Sequence, residues 1–194
     1  MTAQVRLPDA DATRAWGRSL AALLRAGDLV VLTGDLGAGK TTLTQGLGEG
    51  LGVRGQVASP TFVIAREHPP LPRPDGTRGP ALVHVDAYRL GSLDEVEALD
   101  LDAALDEAVT VVEWGEGWVE GLTDDRLELR LERPHGGVLD DVEDAAAGER
   151  LLTVRGVGVR WSGVDLPGAP EAASQDDAHG TDHHGTDHHE GSRG

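Results

Sequence analysis

The chain has no cysteine, which excludes disulfides, thiolate metal sites and cysteine nucleophiles. It has no asparagine either, and this removes the Asn-Lys-x-Asp element that reads guanine in regulatory GTPases. No apolar run approaches the ~20 residues that span a bilayer. Residues Met1 to Asp11 are polar and acidic, without the apolar core of a signal peptide, so a cytoplasmic protein with no membrane contact is expected. Positive charge is scarce: 17 Lys and Arg face 34 Asp and Glu, for a net charge of −17. Such a surface repels phosphate backbones, which argues against independent tight binding of RNA or DNA. Any nucleic acid involved is expected to be held by a partner. Low Lys and Asn beside abundant Gly, Ala, Arg and Asp resembles a GC-rich coding bias, so most of the composition carries little functional signal.

Lysine is the most informative scarcity. The chain has sixteen arginines and one lysine, Lys40. That lysine stands in Gly34-Asp35-Leu36-Gly37-Ala38-Gly39-Lys40-Thr41, which fits the phosphate-binding P-loop G-x-x-x-x-G-K-[ST]. The preceding Leu29 to Leu32 is a continuous apolar run, as in a strand buried on both faces, and helical residues follow from Thr41 to about Leu51. Strand, glycine loop and helix form the context the motif requires. Gly37 and Gly39 permit backbone conformations that turn N–H groups onto phosphate oxygens. The helix presents its positive end to the same anion, Lys40 adds a point charge, and the Thr41 hydroxyl is placed to ligand Mg²⁺. Gly34 to Thr42 is therefore the candidate nucleotide-binding segment. With no guanine reader, ATP is favoured over GTP.

The rest of the chain reads as an α/β domain. Val5 to Leu7 suits a short edge strand closed by Pro8. From Asp9 to Ala26 the pattern is helical, with Trp16, Leu20, Leu23 and Leu24 on one stripe and Asp9 or Asp11 as cap. Phe62 to Ala65 and Ala81 to Val85 read as strands. Between them, residues 68–80 hold five prolines and two glycines and read as a surface loop. Leu93 to Leu105 is helical in pattern, and Val109 to Val112 is a buried-type strand. Leu127, Leu129 and Leu131 alternate with charged residues, as in a strand with one wet face. Leu151 to Val159 suits a final strand or hairpin. Strands alternating with helices predict a three-layer domain with a mostly parallel central sheet. This domain is expected over 1–166, followed by a disordered acidic His/Asp-rich tail over 167–194 that repeats Gly-Thr-Asp-His-His in tandem. The paired histidines could take up Zn²⁺ or Ni²⁺ loosely, but a solvating tail is the preferred reading. Residues 133–166 carry no interpretable motif.

A triphosphate site needs a carboxylate to hold its metal at the end of a neighbouring strand. Asp86 and Glu113 each follow a strand; by pattern Asp86 is the more conventional choice, and spacing does not choose between them. His84, two residues before Asp86, reads as a satisfied core histidine. Ser59-Pro60-Thr61 lies where P-loop proteins often carry a γ-phosphate-sensing hydroxyl, but read alone it is an ordinary turn.

Taken in order, Gly34 to Thr42 (GDLGAGKTT), Ser59 to Phe62 (SPTF), His84 to Leu90 (HVDAYRL) and Val111 to Glu116 (VVEWGE) strongly resemble the TsaE family. This is the ATPase subunit of the bacterial machinery that makes threonylcarbamoyladenosine on tRNA, and the resemblance covers roughly residues 5–132. It implies a small P-loop NTPase-like domain that binds ATP and Mg²⁺ and hydrolyses ATP slowly alone. Hydrolysis is engaged on the partner subunits of the transferase complex, which modify adenosine 37 of tRNAs reading codons that begin with A; tRNA is met only through those partners. By the same resemblance Thr41 and Glu113 hold Mg²⁺, Lys40 serves the phosphates, and Asp86 positions the attacking water or couples to partners. Ser59 and Thr61 form a switch loop, and Thr13 lies near the base. The loop 68–80 and the His/Asp tail depart from the family pattern. Two other functions fit a P-loop: a small-molecule kinase, and an ATP-dependent interaction switch with negligible turnover.

Overall fold

The computed structural model describes residues 1–58, 65–89, 105–133 and 148–168. Seven strands, β1 (Thr2–Leu7), β2 (Leu29–Gly34), β3 (Ala65–His68), β4 (Ala81–Asp86), β5 (Ala108–Glu113), β6 (Arg126–Glu132) and β7 (Arg150–Val157), form one sheet in the order β1-β7-β6-β2-β5-β4-β3. Two helices are described, α1 (Ala10–Ala21) and α2 (Lys40–Leu51). None of the described helices is long and apolar enough to cross a membrane.

The expected α/β sheet is mixed, parallel at its centre and antiparallel at its flanks. β6, β2, β5 and β4 run parallel, whereas β1, β7 and β3 pair antiparallel. The β3–β4 connection shows why. It is proline-rich and carries no helical pattern, so it cannot make the crossover that a parallel pair needs. It is more organised than a plain loop: Pro70 bridges Val53, Pro72 bridges Arg78, and Leu71 N–H donates to the Gly52 carbonyl at 2.8 Å.

Alternation along the central strands divides the core between the two faces of the sheet. Val30, Leu32, Val111 and Leu129 pack with Trp16, Leu20, Leu43 and Leu47 of α1 and α2. Leu29, Val31, Val85 and Val112 pack on the other face with Leu105 and Val119. Asp9 caps α1, its side chain accepting from Ala12 N–H. The helix stops at Ala21, short of the predicted Ala26. Leu23 and Leu24 N–H groups turn onto Leu20 and Ala21 carbonyls, three residues back, which is the tightened last turn common at helix ends. Most of the predicted helix Leu93 to Leu105 and all but Ala65 of the predicted strand Phe62 to Ala65 lie outside the described residues.

The segment after residue 148, which carries no motif, supplies β7 as a single strand and a fastening for the chain's other half. Arg160 donates to both oxygens of the buried Asp28 at 3.1 Å and to the Leu23 carbonyl at 2.7 Å, while its guanidinium lies 4.2 Å from the Trp161 ring centroid. The Trp16 indole N–H donates to the Pro167 carbonyl at 3.0 Å.

α1 and α2 meet backbone to backbone. A Cβ on Gly17 would lie 2.5 Å from the Leu43 carbonyl oxygen, one on Gly50 would lie 2.5 Å from the Ala21 Cβ, and one on Gly46 would overlap the Arg14 carbonyl. These contacts set the depth at which α2, and therefore the loop before it, seats on the sheet. Gly46→Ala is expected to force the helices apart and to destabilise the protein by about 1–3 kcal/mol, the usual cost of overpacking. A lowered Tm by calorimetry, with secondary structure retained by circular dichroism, checks this.

Candidate functional site

Three parallel strands deliver their carboxyl ends to one place. β2 ends at Gly34, β4 at Asp86 and β5 at Glu113, with Asp86 opposite Glu113 and Glu113 opposite Leu32 in register. A crevice outside the carboxyl ends of strands is the usual ligand position in α/β sheets.

The loop from β2 into α2 is built on left-handed glycines: φ is +76° at Gly37 and +106° at Gly39. Gly39 is the N-cap of α2, and no side chain caps the helix. The first-turn N–H groups are therefore left for an incoming acceptor. Asp35 and Leu36 stand at the exposed tip, Leu36 at 92% exposure, while Ala38 is fully buried. Thr13 is buried, its hydroxyl donating to the Asp9 carbonyl at 2.8 Å.

Lys40 is buried, and its Nζ donates to the Gly34 and Asp35 carbonyls at 2.8 and 2.9 Å. The same atom lies 4.1 Å from the centroid of the Trp114 ring, within cation–π range. Burial pushes the Lys40 pKa below its ordinary value, and the negative charges of Glu113, Asp86 and Asp35 oppose that shift only in part. Trp114 has φ +62°, the one positive φ outside glycine among the described residues. Such a conformation costs a bulky residue about 1–3 kcal/mol and persists where the surroundings enforce it. Here the Trp114 N–H donates to the Leu32 carbonyl at 3.1 Å and the ring sits 5.3 Å from that of the exposed Tyr88. The sequence offered no signal for this placement beyond the family motif.

Glu113 is 3% exposed. Its Oε1 accepts from the Thr41 hydroxyl at 3.3 Å and lies 2.9 Å from His84 Nε2. His84 is fully buried, and among the described residues its Nδ1 has no hydrogen-bond partner. The histidine that reads as satisfied is thus satisfied at one nitrogen only. Asp86 Oδ1 accepts from the Tyr88 N–H at 3.1 Å.

These groups share a cavity of about 310 Å³, lined by Lys40, Thr41, Thr42, Asp86, Glu113 and Trp114 together with Leu36, Gly37 and Gly39. Ala10, Tyr88 and Arg150 complete the wall. Arg150 is the charged lining residue that sequence reasoning missed. It opens β7, is 2% exposed, and its Nε would lie 3.7 Å from a Cβ on Gly39. Burial lowers its pKa, repulsion from Arg133 adds to the shift, and Asp9 counters it. Its only sequence trace is an arginine at the start of an apolar run. Ser59 and Thr61, the predicted switch residues, lie outside the described residues. A smaller depression of about 160 Å³, lined by Arg14, Gln45 and Glu49 among others, holds none of these groups.

The donor set fits a polyphosphate and a hard cation. Two buried cations and an uncapped helix start suit the anion, and a hydroxyl beside a carboxylate suits Mg²⁺. Among the described residues no group of three or more His, Cys, Asp and Glu could hold a metal ion unaided. A cation at Thr41 and Glu113 would complete its coordination with oxygens brought by the anion and water.

Because Lys40 is the only lysine, its titration can be followed without overlap. In ¹⁵N-lysine-labelled protein the single side-chain resonance is expected to titrate below the ordinary lysine value of about 10.4. Between the folded and unfolded pKa values the unfolded chain binds more protons, so Lys40 makes stability rise with pH across that window. A midpoint at or above the ordinary value would contradict the burial described here.

The family model described as "Threonylcarbamoyl adenosine biosynthesis protein TsaE" matches residues 7–137. A Streptomyces coelicolor protein named tRNA threonylcarbamoyladenosine biosynthesis protein TsaE is 62% identical over 154 residues, covering 79% of this chain and 96% of its own. The Bacillus subtilis protein of that name is 38% identical over 157 residues, covering 80% and 87%. Among solved structures, that of YdiB from Bacillus subtilis superposes with a TM-score of 0.58 at 34% identity, over 83% of this chain and 89% of that one. On its fold, its site and these matches, the chain belongs to the TsaE family of threonylcarbamoyl adenosine biosynthesis proteins.

Proposed function

We propose that this protein is a cytoplasmic, Mg²⁺-dependent ATPase subunit required for threonylcarbamoylation of adenosine 37 in tRNAs that read A-starting codons. It acts on the other subunits of the transferase complex and meets tRNA only through them, in keeping with its net charge of −17. The observation that carries the reading is the convergence of the glycine loop, Lys40, Thr41 and Glu113 on one cavity at the carboxyl ends of β2 and β5.

The residues divide the work by chemistry. The α2 start and the Gly37 to Gly39 backbone bind the phosphate chain. Lys40 leaves the Gly34 and Asp35 carbonyls, to which it now donates, for the β- and γ-phosphates. Arg150 adds a second cation from β7, and a guanidinium can grip phosphate bidentately. Thr41 and Glu113 hold Mg²⁺, which when bound neutralises charge developing on the β- and γ-phosphate oxygens. Asp86, beside Glu113 in register, positions the attacking water or couples the site to partners. Ser59 and Thr61 report the γ-phosphate from the switch loop.

Phosphate release from Mg²⁺-ATP, measured with and without the partner subunits, tests the assignment. Weak basal release that the partners alter is expected. Lys40→Ala should lower turnover by about 100-fold or more, the scale for loss of a main electrostatic stabiliser, with the circular dichroism spectrum retained. Full activity in Lys40→Ala would sink the assignment. Phosphate appearing on a metabolite in place of water would point to a kinase. ATP-dependent partner binding that keeps full function in Glu113→Ala would point to a switch.

A further inference from the structure

His84 lies mid-strand in β4, fully buried and on the same strand face as the buried Leu82. Packing alone does not account for it, since an apolar side chain would fill the same space without leaving Nδ1 buried and unpartnered. What the ring does make is one bond, 2.9 Å from Nε2 to Glu113 Oε1 on the neighbouring strand. A carboxylate in the ionised form that ligates a cation only accepts, and toward that form it is His84 Nε2–H that donates. The oxygen it meets also accepts from Thr41 at 3.3 Å. Oε1 is thus held from two sides, by the first turn of α2 and by β4.

We infer that His84 is a positioning residue for the cation site: its Nε2–H holds the Glu113 carboxylate in the orientation in which it meets the Thr41 hydroxyl. The inference rests on the assignment of Thr41 and Glu113 to Mg²⁺ made above. Groups that hydrogen-bond a ligating carboxylate restrict its rotation, and their loss typically weakens metal affinity by about 10–100-fold. His84 does this from inside the sheet, where a strand neighbour two residues before Asp86 is carried by the backbone and not by a loop.

The test uses the full chain and Mn²⁺ as a spectroscopic probe of the cation site. Mn²⁺ binding to the ADP complex is measured by electron paramagnetic resonance, and ADP binding is measured separately in EDTA. His84→Leu is expected to weaken Mn²⁺ by about 10-fold or more while metal-free ADP affinity stays within about 2-fold. His84→Gln, whose amide N–H can still reach Glu113, is expected to recover most of the loss. In a Glu113→Gln background His84→Leu should add nothing, because the carboxylate it orients is gone. Unchanged Mn²⁺ affinity in His84→Leu overturns the inference. So does an equal loss of metal-free ADP affinity, or a full additional loss in the Glu113→Gln background, since each marks a purely structural role. If His84→Leu fails to fold, the Gln variant decides: Mn²⁺ affinity near wild type supports the inference, and a loss as large as that in Glu113→Gln overturns it. Wild-type protein that binds no ADP would instead overturn the nucleotide reading.

Discussion

A carboxylate almost sealed from water must be met by donors, and the site is organised around the way Glu113 is met. It closes β5 at the centre of the sheet, takes the Thr41 hydroxyl from α2 and the His84 ring from β4, and lowers the cost of burying Lys40 nearby. The loop, the strand ends and the helix start are therefore tied through one side chain. Glu113 reaches that position because β2 and β5 are register neighbours and because the glycine contacts between α1 and α2 let α2 seat deeply.

The site also holds interactions that fix Lys40 where it stands. Lys40 is wrapped by two carbonyls of its own loop and by an aromatic ring, although burial disfavours its charge. Trp114 keeps a left-handed backbone to supply that ring. Carbonyls and a π face are weaker partners for an ammonium than phosphate oxygens are. Under the proposed function, an entering polyphosphate would offer Lys40 stronger partners than these.

Arg150 shows where local reading ends. Nothing near it in the chain marks it, and it comes from the stretch that carries no motif. It reaches the cavity because β7 runs antiparallel beside β6 and begins at the edge where the loop lies. Arg160 then fastens the same stretch to Asp28 and Leu23, more than a hundred residues earlier. Such pairings have sequence separations that no periodicity records.

The sequence by itself determined the glycine loop with its strand before and helix after, the alternating strand of Leu127 to Leu131, and the four motifs that mark the family, because each is written in contiguous residues whose backbone needs are local. It left Asp86 and Glu113 undecided when read by spacing, took His84 for an ordinary core residue, and predicted a mostly parallel sheet without saying which strands pair antiparallel. Those questions depend on which strands become neighbours and in what register. Only the tertiary structure shows which groups meet, since a hydrogen bond between side chains 29 residues apart forms when two strands align and leaves no mark along the chain.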